Sequence, residues 1–273
     1  MKTILVPVDF SKCSNNAAKF AVQVADKAKS KLILLHSYHI PLTMAEVPQV
    51  ADLSSEIKTE AQDEIRKLAV LLQNGHPDVV IETVVIAGFA HDAIIAEAQK
   101  NKADFIIMGT RGKHGLLDEV FGSVTSGVIA HSKVPVLAVP EGSKFKGISK
   151  IALSVDLYPN AHKNALTPLV TFAKIFSAEI LLYHIVETDM LNLWGFEKEK
   201  ARIEKMLDGV KYSFFEEDTN DVTGGIDKFV AKHKAEVLSV ISRKHNFIER
   251  LFWRSITRRL ALHSDLPFLA LPE

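Results

Sequence analysis

Short runs of Val, Ile and Leu recur along the first half of the chain, separated by longer stretches in which apolar residues return every three or four positions. The short runs predict strands over 3–8, 32–37, 79–86, 105–108 and 136–139. They are apolar throughout rather than alternating, as strands buried on both faces read. Between them, the segment 15–29 and the series Leu53, Ile57, Ala61, Ile65, Leu68 and Leu72 have the period of amphipathic helices. A third helix is expected over 92–100, and a fourth starts near Ser123. Alternating β and α segments joined by right-handed crossovers give an open parallel sheet of five strands with helices on both faces, a doubly wound α/β fold.

The pattern then repeats. "KTILVPVDF" at 2–10 resembles "SKIALSVDLY" at 149–158, which superposes Asp9 on Asp156. "KLILLHSY" at 31–38 resembles "EILLYHIV" at 179–186, and "AHSKVPVLAVPE" at 130–141 resembles "LHSDLPFLALPE" at 262–273, matching His131 with His263. The offset falls from 147 or 148 positions at the first two landmarks to 132 at the third, so the second copy has lost about 16 residues in its middle. Two tandem domains are therefore expected, 1–142 and 148–273, joined near the polar "EGSKFKG". The proline-bracketed fifth strands are apolar and would lie at sheet edges. They are expected to pair with each other in a pseudo-two-fold arrangement, and a homodimer is a further option.

In a doubly wound sheet, ligands sit beyond the carboxyl ends of the strands, where the winding reverses. With strand order 3-2-1-4-5 that crevice lies between strands one and four. Asp9 closes the first, and "MGTRGKHGLLDEVFGSVTSG" at 108–127 begins where the fourth ends. Gly109 and Gly112 can adopt positive φ and bring backbone N–H groups close to a ligand, while Gly122-Ser123 opens a helix whose free N–H groups attract anions. Ser123 and Thr125 hydroxyls add donors for phosphate oxygens, and Asp9 can accept from a ribose or an adenine amino group. The plainer alternative is that the glycines only end a strand and cap a helix. A P-loop is excluded, because two residues separate Gly109 from Gly112 and His114 follows Lys113. The dinucleotide fingerprint is excluded too, since the first turn, "VDFSKCSNN", has no glycine.

Composition narrows the partners. The 273 residues are 47% hydrophobic and 24% charged, with 33 basic and 33 acidic side chains, so no global field draws the chain to nucleic acid or to an anionic membrane. A single cysteine, Cys13, excludes an internal disulfide framework and suits a reducing compartment. With no signal-like start and no apolar run approaching 18 residues, a cytoplasmic location is expected.

The spacing G-x2-G-x9-G-[ST], here Gly109, Gly112, Gly122 and Ser123, in a chain that begins "ILVPVDFS" and closes "VPVLAVP", resembles the universal stress protein family over essentially the whole length. The resemblance implies two Rossmann-like domains of the adenine nucleotide alpha-hydrolase type and a stress-response role. Its implied ligand is ATP, with or without Mg, as a regulatory signal. It implies binding roles for Pro7, Asp9, Met108, Gly109, Gly112, Gly122, Ser123, Val124 and Thr125, and the candidate set also includes Val8, Ser37 and Arg111. Ser37 departs from the aliphatic residue that the family often places beside adenine. Nucleotide occupancy is expected to order the loop over 112–122 and change the surface offered to a protein partner of unknown identity.

The second copy supplies a control. "VISRKHNFIERLFWRS" at 240–255 lies over "MGTRGKHGLLDEVFGS" without a gap and replaces the three glycines by Ile241, Lys244 and Arg254. It is expected not to bind ATP in the same way. Arg250, Arg254 and Arg258 share one helical face, which suits an anion, a partner or a solvated surface. The recurring His36 and His184, and His131 and His263, are read as structural, and no metal motif appears among the 11 histidines. No catalytic residues are assigned. A slow ATPase, for which Asp118 and Glu119 are the nearby acids, or another adenine-nucleotide enzyme of the same fold is one alternative, and a nucleotide-free interaction module is the other.

Overall fold

The computed structural model describes residues 1–39, 50–111, 121–155, 165–186, 193–242 and 266–272. These fall into two compact units, one made of the described residues up to Gly142 and the other of those from Ser143. The first unit runs β1 (Thr3–Pro7), α1 (Lys12–Ala28), β2 (Lys31–Tyr38), α2 (Val50–Gln73), β3 (Ile81–Ala87), α3 (Ala90–Lys100), β4 (Phe105–Gly109), α4 (Ser123–His131) and β5 (Val136–Val139). Its parallel strands lie in the order β3-β2-β1-β4-β5. The second runs β6 (Lys150–Val155), α5 (Leu166–Phe176), β7 (Glu179–Val186), α6 (Leu193–Met206), β8 (Tyr212–Asp218), α7 (Val222–His233), β9 (Val237–Ser242) and β10 (Phe268–Pro272). Its order, β8-β7-β6-β9-β10, is the same winding.

The internal repeat extends to single residues. Ile4 pairs with Phe105 as Ile151 pairs with Val237, and Gly109 pairs with Val139 as Ile241 pairs with Leu271. An acid before the fourth strand holds the start of the first in both units. Asp104 Oδ2 accepts from the N–H of Lys2 at 2.6 Å and of Thr3 at 2.9 Å, while Glu236 Oε2 accepts from the N–H of Lys150 at 2.7 Å. The histidines of β2 and β7 are structural: Nδ1 of His36 donates to the Val8 carbonyl at 2.8 Å, and Nδ1 of His184 to that of Val155 at 3.1 Å.

The cores arise from the apolar runs, with Ile4, Leu5, Val6, Leu32, Ile33, Leu34, Ile106 and Ile107 fully buried. β3 departs from the expectation of burial on both faces. It has one neighbour, so no residue along it is fully buried, and Glu82 faces Lys31 in a 3.0 Å ion pair. It also starts at Ile81 rather than 79. Val79 is buried but sits in a turn, its N–H donating to His76 O and its carbonyl accepting from Gln73 Nε2. α1 starts earlier than its apolar period suggests because Ser11 caps it, Oγ accepting from the Ser14 N–H at 3.1 Å. None of the helices among the described residues is long and apolar enough to cross a membrane.

One pH effect arises in the second unit. His233 packs against Phe229 and Phe215 with ring centroids 4.5 Å away, and burial, then Lys232 and Lys150, hold its imidazole pKa below the ordinary value. A depressed folded-state pKa means that the unfolded chain binds more protons as pH falls. The associated stability is therefore present above the unfolded value near 6.5 and is lost as the pH drops through the folded one. The urea midpoint is expected to fall between pH 7.5 and pH 5.5, and His233→Gln to flatten that decline; an unchanged slope in the variant contradicts the assignment.

Candidate functional site

The winding reverses between β1 and β4, so the crevice is bounded by the connections that leave the carboxyl ends of those two strands. After β1, the backbone turns sharply. Phe10 takes φ 62°, a left-handed conformation that costs a bulky L-residue roughly 1–2 kcal/mol. Its ring lies 4.5 Å from the His36 imidazole. Asp9 is half-buried and serves the turn: Oδ1 accepts from the Ser11 N–H at 3.1 Å, and its own N–H donates to Ser14 Oγ at 3.3 Å. The residue expected to steady a sugar or base thus also pins the entry to α1.

After β4, the chain is tied twice. Thr110 N–H donates to Val139 O at 3.2 Å, and the Thr110 carbonyl accepts from the Gly122 N–H at 2.8 Å. That second bond brings together the two ends of the segment from 111 to 121. Gly122 is the N-cap of α4 with φ −63° and ψ 161°, and it offers no side chain to the helix N–H groups. Ser123 and Val124 are exposed in a first turn that contains no acid. By helix geometry the N–H groups of Ser123, Val124 and Thr125 have no partner one turn back, and the dipole adds positive potential there.

Gly109 serves close packing within the fold. It does not take positive φ; it is the buried end of β4. A Cβ there would lie 3.0 Å from Cys13 Sγ, 3.1 Å from the Cys13 carbonyl carbon and 3.2 Å from Ser14 N, so its absence lets the first turn of α1 close against the strand. Thr125 is likewise committed, its buried hydroxyl donating to the Gly109 carbonyl at 2.9 Å, so its offer to a ligand is its main chain. Cys13 is buried, with Sγ 3.6 Å from Val139 O and 3.7 Å from Thr110 Oγ1.

The other candidates are distributed around this centre. Pro7 ends β1, Val8 is buried just beyond it, and Met108 is buried beside Gly109 in β4. Ser37 stands one strand away on β2, opposite Ile86 of β3, and half-buried Arg111 is at the mouth of the β4 connection. Gly112 lies outside the described residues, as do His114, Asp118, Glu119, Asp156, Lys244, Arg250, Arg254, Arg258 and His263. Ile241 is described, and it is buried at the register position of Gly109. Among the described residues no group of three or more His, Cys, Asp or Glu is placed to hold a metal ion.

Known proteins resemble this chain in sequence and fold. Residues 1–140 match the model of the universal stress protein family. Universal stress protein MJ0531 of Methanocaldococcus jannaschii is 32% identical over 145 residues, covering 52% of this chain and 84% of that protein. Universal stress protein MJ0577 of the same organism is 29% identical over 152 residues, covering 50% of this chain and 94% of its own length. The crystal structure of a universal stress protein from Archaeoglobus fulgidus covers 99% of this chain and 96% of its own with a TM-score of 0.70; at 18% identity that likeness is one of fold.

Proposed function

Because the chain belongs to the universal stress protein family, we propose that it is a cytoplasmic stress-response regulator whose N-terminal unit binds ATP, while its second unit serves structure or a protein partner. The observation that carries this reading is the start of α4: a cap without a side chain, an exposed first turn, and no acid to neutralise the dipole. In it the phosphates lie against the N–H groups of Ser123, Val124 and Thr125, Gly112 and Arg111 flank them, and Asp9 faces the nucleoside. Pro7, Val8, Ser37 and Met108 form the surrounding wall, with Gly109 setting the depth of the crevice. Mg would accompany the phosphates as part of the ligand. In the second copy Lys244 and Arg254 stand where the first has Gly112 and Gly122, which supports assigning the nucleotide to the first unit alone.

No hydrolytic step is assigned, so ATP acts as a bound signal whose occupancy alters the surface around α4. A ligand that binds only the folded state stabilises it by about 2.7 kcal/mol at a hundred times its Kd. MgATP is therefore expected to raise the melting temperature of the purified protein at millimolar concentration. A melting curve that MgATP leaves in place contradicts the proposal.

A further inference from the structure

Phe89 occupies an odd position for its chemistry. It is the N-cap of α3 at φ −71° and ψ 133°, where Ser, Thr, Asp or Asn would normally accept a hydrogen bond from the helix, and it makes none. The residue is 65% exposed. The backbone is shaped to put it there: the preceding Gly88 takes φ 146°, a conformation that L side chains rarely adopt, and its N–H donates to the Tyr38 carbonyl at 2.8 Å. Tyr38 pairs with Ala87, so Phe89 and His39 both stand just past the carboxyl ends of β3 and β2. Their rings stack, with centroids 4.7 Å apart and planes 25° from parallel. The first unit thus gives up a helix cap and exposes an aromatic on the same rim of the sheet as the α4 N-terminus.

The second unit has the corresponding helix, and there the cap is ordinary. Asp221 precedes α7, and its Oδ1 accepts from the Gly224 N–H at 2.9 Å. The unit with Ile241 at the Gly109 position has the better cap, and the unit with the glycines has the exposed ring.

We propose that Phe89, backed by His39, is the platform on which the base of the bound nucleotide stacks. This rests on the ATP reading above. β3 lies three strand spacings from β4, about 14 Å at ~4.8 Å each, so an extended nucleotide with its phosphates at α4 carries its base across β1 toward β2 and β3. Every base has a π face, so stacking adds affinity while leaving the choice of base to edge contacts such as Asp9.

The test compares MgATP with inorganic tripolyphosphate by calorimetry on the full chain. Phe89→Ala is expected to weaken ATP by between about fivefold and a hundredfold, the range that base–aromatic stacking supplies. Its tripolyphosphate affinity should equal that of the wild type, and Phe89→Trp should restore ATP. Phe89→Asp, which installs the cap of α7, should melt no lower than wild type while binding ATP as weakly as Phe89→Ala. If the wild type binds ATP and Phe89→Ala binds it equally well, the platform is overturned and the nucleotide function stands. An equal loss for tripolyphosphate also overturns it, since Phe89 would then act on the fold or the phosphate site. If the wild type binds neither ligand, both proposals fall.

Discussion

Gly109→Val is expected to lower the unfolding free energy of the ligand-free protein by about 1–3 kcal/mol, the cost of overpacking a well-filled interior. The added methyl groups would extend from a Cβ that already stands 3.0–3.2 Å from Cys13 and Ser14, closer than the usual 3.5–4.0 Å between packed atoms. Two of those three atoms are backbone in the capped first turn of α1, which Ser11 and Asp9 hold in place, so relief has to come from moving the helix or the strand. The urea midpoint without nucleotide reads the effect directly. An unchanged midpoint would mean that α1 yields freely and that Gly109 is there for a ligand alone.

Gly122→Asp is expected to separate stability from binding. At φ −63° the backbone of buried Gly122 is one that any L-residue adopts, and an aspartate at an N-cap accepts from the first-turn N–H groups, as Asp221 does on α7. The variant should therefore melt at or above the wild-type temperature. The same carboxylate occupies the donors proposed for the phosphates and repels them, so ATP affinity should fall at least about a hundredfold, equivalent to some 2.7 kcal/mol. Retained affinity in a folded Gly122→Asp protein would remove α4 from the phosphate site.

These two glycines show how far a sequence conveys its own structure. The apolar runs locate the strands, because residues such as Ile106 and Ile107 are buried on both faces and have to be apolar. The same pattern starts β3 two residues early because Val79 is buried without being on the ladder, and burial is the property that hydrophobicity reports. Glycine stands out at 109, but its use is close packing against Cys13 rather than positive φ, and composition alone cannot separate those causes. The left-handed helix ends at Lys29, Lys102, Ser177 and Lys234 carry no glycine signal at all. They recur in equivalent pairs, as do Asp104 and Glu236, so a residue-by-residue alignment of the two copies beyond the three landmarks exposes the acids. The same comparison sets Phe89 against Asp221, although only the structure shows that the phenylalanine is both exposed and a helix cap.

The most direct test is to monitor backbone amide resonances of the two-unit chain during a MgATP titration. The Ser123, Val124 and Thr125 amides should move together and saturate with a single Kd, with Asp9 and Ser11 tracking the same curve and the β9 and β10 amides of the second unit unmoved. Saturating MgATP that leaves the α4 amides in place, or that shifts the second unit instead, would contradict a nucleotide held at the β1/β4 crevice.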